Sequence, residues 1–360
     1  MAQKKIPYMQ LRGGSSKAVF FNSADLPKEI SKRDEIIMAT MEGVGKGDPR
    51  QIDGLGGADS LTSKVGIVGL SEREGVDLEF LFLQVVLGQG VITDGQNCGN
   101  ILSAVVPFAI ENEMIDTFHN WTNVMVYMQN SNSLCEVIVQ TPNWEIIYKG
   151  DIKIDGVPGT GSPIFCNYLE IEGANCGALL PTGNAIDIIN GIEVTCVDNG
   201  MPVVLLRSND MGITGYETKK VLDDNEVLKE KLEKIRLAVG PMMNLGDVSK
   251  KTVPKMTLIS SSKNGNLINT RTFIPHVCHT AIGVLGAVSV ATGCLIDGSI
   301  ADGISLPNEN LSDPMIIDHP SGNLTVKFEV EKINSKIVFK KSGVIRTARP
   351  ISKGVVYLPE

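Results

Sequence analysis

Apolar and polar positions along the chain alternate over short runs, with a few longer helical stretches between them. Ile6 to Leu11 and Ala18 to Phe21 flank a glycine-containing turn and read as strand, turn, strand. Ser31 to Glu42 puts Ile36, Ile37 and Met41 on one helical face. A short apolar run, Val65, Ile67 and Val68, follows Lys64. Val76, Leu78, Phe80 and Phe82 then alternate and predict a strand ending near Val86. Further strands fit Val124 to Met128, Leu134 to Thr141, Ile164 to Ile171, Val194 to Val197 and Val203 to Leu206. Others fit Val253 to Ser260, with Pro254 near its edge, Leu324 to Val330, and Val355 to Leu358. Asp224 to Val239 carries Leu228, Leu232, Ile235 and Val239 on one stripe and reads as an amphipathic helix.

Two segments break this pattern. Thr93 to Ile110 runs from a polar turn around Cys98 into a stretch that is apolar nearly all round. The segment opening at Cys278, C-H-T-A-I-G-V-L-G-A-V-S-V-A-T-G, does the same half a chain length later. A helix without a polar face belongs inside a domain, so Ile101 to Ile110 and Ala281 to Val290 are expected to be buried. Pro107 should kink the first helix. The recurrence suggests a diverged repeat, with halves 1–183 and 184–360, Pro181 to Asn184 as the boundary, and a terminal strand free to cross back to the first half.

The chain has 360 residues and a net charge of -8, which argues against nucleic acid or an anionic membrane surface as the main partner. No apolar run is long enough to span a bilayer, and the start M-A-Q-K-K lacks a signal peptide's apolar core. Seven cysteines without close pairs fit reduced thiols in the cytoplasm. His276 and His279 lack the partners of a zinc signature, so no metal is expected.

Three places could carry chemistry. The turn R-G-G-S-S-K can aim backbone N–H groups and the Ser15 and Ser16 hydroxyls at an anion, with Arg12 and Lys17 adding charge. The plain alternative is a hairpin turn. Lys64 lies between a glycine-rich loop and a buried run, where desolvation favours an uncharged, basic amine. The alternative is an amine in solvent, and the glycine spacing is not that of a Walker loop. Cys98, framed by Asn97, Gly99 and Asn100, sits where first-turn N–H groups favour anions and a thiolate. The alternative is a small core residue at a helix cap.

R-G-G-S-S-K, G-G-A-D-S-L-T-S-K, N-C-G-N, T-G-Y-E, C-H-T-A and H-P-S-G occur in the order seen in the PrpF family. The resemblance covers essentially the whole chain. That family includes 2-methylaconitate cis-trans isomerases, 3-methylitaconate Δ-isomerases and 4-oxalomesaconate tautomerases. V-Q-T-P-N, I-D-G-V-P-G-T, N-L-G-D-V-S and I-P-H-V-C-H look most like the third branch. The resemblance implies an α/β, diaminopimelate-epimerase-like fold of two pseudo-symmetric halves, each a mixed sheet wrapped around a central apolar helix, with the active site between them. It also implies a cofactor-free, metal-free proton shift on a small unsaturated polycarboxylate, and it leaves room for a homodimer. The family's catalytic lysine falls on Lys64 and its cysteine on Cys98. Substrate carboxylates would meet Ser15, Ser16, Lys17, Thr62, Ser63, Asn97, Gly99 and Asn100, with Arg271 and His279 facing the cleft from the second half. Three positions depart from the family pattern: Thr280 where a basic residue is expected, Ala18 where a glycine is usual, and Pro107 inside the central helix.

These residues fit an allylic 1,3-proton shift, with one base and one acid within reach of two carbons and donors for the dienolate-like charge. Two other readings stand beside it. A racemase or epimerase would use Cys98 and Cys278 on opposite faces of one carbon. A non-catalytic ligand-binding protein would keep its function as Cys98→Ser.

Overall fold

The computed structural model describes residues 4–95, 97–333 and 336–358. The chain forms two compact units, Met1–Asn167 with Ile345–Glu360, and Tyr168–Val344. The division thus falls at Asn167/Tyr168 and Val344/Ile345, ahead of the Pro181–Asn184 turn that suggested a boundary.

The first unit runs β1 (Lys5–Gly13), β2 (Ser16–Asn22), α1 (Ile30–Glu42), β3 (Lys64–Leu70), β4 (Leu78–Val86), β5 (Val91–Thr93), α2 (Gly99–Leu102), α3 (Val105–Glu111), β6 (Asn120–Met128) and β7 (Ser133–Thr141). The small pair β8 (Ile152–Lys153) and β9 (Thr160–Gly161) follows, then β10 (Ile164–Leu169), within which the division falls. The second unit runs β11 (Asp187–Ile189), β12 (Ile192–Asp198), β13 (Pro202–Arg207), α4 (Lys219–Asp223), α5 (Glu226–Met242), β14 (Lys255–Ser260), β15 (Ile268–Phe273), α6 (Val284–Leu295), β16 (Met315–His319), β17 (Gly322–Ile333) and β18 (Lys336–Arg346). The chain then returns to the first unit as β19 (Ala348–Tyr357), antiparallel to β1.

Both units follow one plan. In the first, β2 and β3 are parallel, β3 and β4 antiparallel, and β4 and β6 parallel. In the second, β13 and β14 are parallel, β14 and β15 antiparallel, and β15 and β16 parallel. A parallel pair needs a crossover, and each crossover carries helix: α1, then α2 and α3, in the first unit; α4 and α5, then α6, in the second. The second crossover of each unit supplies its buried helix. Every residue of α6 is buried, against β12, β13, β16 and β17. Ile101 to Ala109 are buried as well, α2 on β1 and β2, and α3 on β3, β7 and β19. Phe108 stacks on Phe20 with ring centroids 5.5 Å apart.

The first buried helix is broken rather than kinked. Pro107 has no N–H, and its ring would strike the Ser103 carbonyl four residues back in a continuous helix. The chain tightens there instead. Ala104 N donates to Ile101 O at 3.0 Å, the Ser103 hydroxyl donates to Asn100 O at 2.7 Å, and helix resumes at Val105. In the second unit the helix begins at Val284, not near Cys278, which forms an isolated bridge with Phe273. Pro254 stands just ahead of β14, an interior strand between β13 and β15.

Candidate active site

Strand pairing in the first unit sets Ala18, Lys64, Gln84 and Thr93 in one row across the sheet. Near that row lie the turn from β1 to β2, the end of the glycine-rich loop at Lys64, and the segment that leaves Thr93 for Cys98. Lys17 N donates to Leu61 O at 2.9 Å, docking the loop on β2. A Cβ added at Gly57 would come 3.4 Å from Lys17 Nζ, so the lysine side chain reaches this loop too.

Glycine lets the turn close on the Cys98 segment. A Cβ at Gly13 would stand 2.3 Å from the Asn100 carbonyl oxygen, and one at Gly14 2.2 Å from Asn100 Oδ1. Gly14 also needs its φ of +49°, in the left-handed region. Asn100 Nδ2 donates to the Ser15 hydroxyl at 3.2 Å, while Asn100 Oδ1 accepts from Arg346 Nε at 3.1 Å. Asn100 thus holds the turn and a buried arginine together. Arg12 closes the other side, donating from Nη1 to Gly14 O at 2.7 Å and to Thr347 O at 3.0 Å.

Cys98 is the N-cap of α2, half-buried, and its thiol makes no capping bond. Because α2 is a single four-residue turn, a long-helix dipole is not what acts on the thiol. What remains is local: first-turn N–H groups, beginning with half-buried Gly99, that have no partner within the helix. Asn97 Nδ2 donates to the Ser131 hydroxyl, and Asn97 Oδ1 is buried without a partner among the described residues. Asn130 ties Asp94 O and Phe82 O from one amide, at 2.8 Å each, pinning the start of this segment to β4.

Lys64 opens β3 and is 7% exposed. Its ammonium nitrogen donates to Gln84 Oε1 at 2.6 Å and lies 5.2 Å from the centre of the Phe82 ring. Among the described residues it has no carboxylate partner. Buried cations are usually paired, so this amine is open to an anionic ligand. Of the neighbours, Ser16 is buried at 3% exposure and Thr62 caps its own loop by donating to Asp59 O at 3.3 Å. The Ser63 hydroxyl is fully buried and donates to Gln51 Oε1 at 2.6 Å, so it supports the loop.

Arg271 and His279 belong to the second unit. Arg271 lies on β15, and among the described residues its guanidinium bonds to neutral oxygens: Glu217 O at 2.8 Å, Asn269 Oδ1 at 3.0 Å and Thr270 O at 2.7 Å. Burial lowers its pKa from the usual arginine range. His279 Nδ1 accepts from Ala281 N at 2.8 Å, which leaves the proton of the neutral ring on Nε2. Cys278 is 1% exposed, and burial, then Asp223, push its thiol up to about 11. Gln84 and Arg346 were not singled out from sequence. A polar residue two places after Phe82, in step with Leu78 and Phe80, was the available signal for Gln84.

The fold is shared with solved isomerases, among them a hydroxyproline epimerase that matches in fold alone, at 11% identity and a TM-score of 0.55. The chain belongs to the PrpF family: the family described as PrpF protein matches residues 3–359. It is 48% identical over 352 residues to the (4E)-oxalomesaconate Delta-isomerase of Novosphingobium sp. (strain KA1), covering 98% of this chain and 97% of that one. It is 48% identical over 356 residues to the 4-oxalomesaconate tautomerase of Pseudomonas putida, covering 99% and 97%. A crystal structure of methylitaconate-delta-isomerase superposes with a TM-score of 0.88 at 30% identity, covering 99% of this chain and 96% of that one.

Proposed function

We propose that this protein is a cofactor-independent, cytoplasmic isomerase that shifts an allylic proton on an unsaturated polycarboxylate, with 4-oxalomesaconate the favoured substrate. The observation that carries this reading is Lys64: a buried amine whose hydrogen-bond partner is a neutral amide and which has no carboxylate beside it among the described residues. Lys64 and the uncapped Cys98 thiol serve as the base and acid pair. One takes a proton from the carbon next to the carbonyl or carboxylate, and the other returns a proton across the three-carbon unit. The negative charge that develops on oxygen is met by N–H groups of the α2 turn. The 48% identity to two oxalomesaconate enzymes, against 30% to the methylitaconate isomerase, favours the oxalomesaconate substrate over 3-methylitaconate and 2-methylaconitate. A two-cysteine racemase is disfavoured, because Cys278 is buried, with its thiol pushed up to about 11 by burial and Asp223 and its backbone paired with Phe273.

The test is turnover and solvent-deuterium incorporation with all three substrates. Lys64→Ala and Cys98→Ser should each lose about a hundredfold or more in turnover, with KM changed much less. Near-normal exchange in both variants would refute the assignment.

A further inference from the structure

The row that carries Lys64 holds a second polar residue with no role assigned so far. Gln84 lies directly across from Lys64 in the β3–β4 register. Its amide nitrogen donates to three backbone carbonyls: Ser60 O at 3.3 Å, Ser63 O at 2.9 Å and Val85 O at 3.1 Å. Those contacts settle which way the amide is turned, because the oxygen cannot face three carbonyl oxygens. The oxygen therefore faces Lys64 Nζ, 2.6 Å away.

We propose that Gln84 is the positioning residue of Lys64, an acceptor of fixed direction that holds the amine in place and keeps its lone pair free for substrate. This rests on the reading of Lys64 as an acid–base group. A neutral amine has two N–H bonds and one lone pair. Facing an oxygen that can only accept, it must spend an N–H there, so its lone pair points elsewhere. In the ammonium form one N–H goes to Gln84 and two remain for a substrate carboxylate. A glutamate here would turn an oxygen toward the three carbonyls and pair its charge with the amine. A methionine would fill the space but supply no acceptor. The neutral amide meets both requirements: it places the nitrogen without competing for the charge of an anionic substrate. The Phe82 ring, two residues earlier on the same face, bounds the amine on another side.

The test compares Gln84→Met, Gln84→Asn, Gln84→Glu and Lys64→Ala with the full-length natural chain, using 4-oxalomesaconate. Gln84→Met should lower kcat by roughly tenfold to a hundredfold, the size of a small misplacement of a reacting group, and change KM by less than about threefold. Gln84→Asn keeps an amide near the carbonyls but cannot reach Nζ. It should show the same split, and it serves where the methionine variant does not fold. Gln84→Glu should move the limb of the kcat/KM against pH profile that reports the amine to higher pH by about one unit or more. A purely structural role would leave that limb in place. Folded Gln84→Met and Gln84→Asn with natural kcat and an unmoved Gln84→Glu profile, alongside an inactive Lys64→Ala, would overturn the positioning role alone. An active Lys64→Ala would overturn the reading beneath it.

Discussion

Ser63 and Lys64 are neighbours in sequence with opposite tasks. The Ser63 hydroxyl ties the glycine-rich loop to Gln51, whose backbone sits at a φ of +49° and whose Oε1 also accepts from Ala58 N at 3.0 Å. Ser63→Ala should lower the melting temperature through a loss of about 1 kcal/mol, the net worth of one hydrogen bond, since Gln51 Oε1 keeps the Ala58 N–H, with KM nearly unchanged. A large rise in KM with an unchanged melt would instead make Ser63 a substrate contact. Cys278→Ser should leave turnover within about twofold, since that thiol is held neutral by burial and by Asp223. Lys64 and Cys98 stood out in the sequence because each interrupts a stretch of another character, a lysine before a buried run and a polar triplet before an apolar one. Gln84 did not, because its meaning lies in the register between β3 and β4, which no single stretch of sequence encodes.

The turn between β1 and β2 and the first turn of α2 work as one element, since Gly13 and Gly14 approach Asn100 more closely than any Cβ allows. Gly13→Ala would drive a methyl into the Asn100 carbonyl and force the two apart. The expected loss is about 1–3 kcal/mol of stability, together with a drop in kcat/KM of at least tenfold as the Cys98 N–H groups move. Calorimetry and steady-state kinetics on the same preparation check both. Helices with one apolar face, α1 and α5, were legible from periodicity alone. The all-apolar helices were legible as buried, but their ends were not. Where every position is apolar there is no period to lose, so the break at Ser103–Ala104 and the late start at Val284 leave no trace in the hydrophobic pattern. The bridge from Cys278 to Phe273 is a pairing across the chain, and it turned an expected helix entrance into extended backbone.

The stability of the whole molecule should carry the signature of one buried amine. Lys255 opens β14, as Lys64 opens β3, and is likewise 7% exposed. Burial, and then Arg236, push the Lys255 amine down to about 8. The unfolded chain keeps that proton up to about pH 10.4. Between those values the unfolded state binds more protons, so stability rises with pH from about 8 to about 10.4, and the cost of the buried charge acts in full below that window. Lys255→Met should therefore melt at a higher temperature than the natural chain at pH 7, and the difference should close by about pH 10.5. A variant that melts lower at pH 7 would show that the amine stabilises the fold. The duplicated plan was foreseen from two apolar segments half a chain apart, yet the matching lysines emerge only when strand pairing puts each at the start of the second strand of a parallel pair.

The return of residues 345–360 to the first unit has a consequence for how the chain is made. While a ribosome is still working through the second unit, β1 has β2 on one edge and nothing on the edge that β19 will later occupy from Lys5 to Gly13. The second unit is contiguous, so all of it has been made once Val344 is translated. The unit bearing Lys64 and Cys98 must wait, though its residues are translated first. Throughout synthesis it presents an open strand edge of the kind that chaperones shield and stalled chains aggregate through.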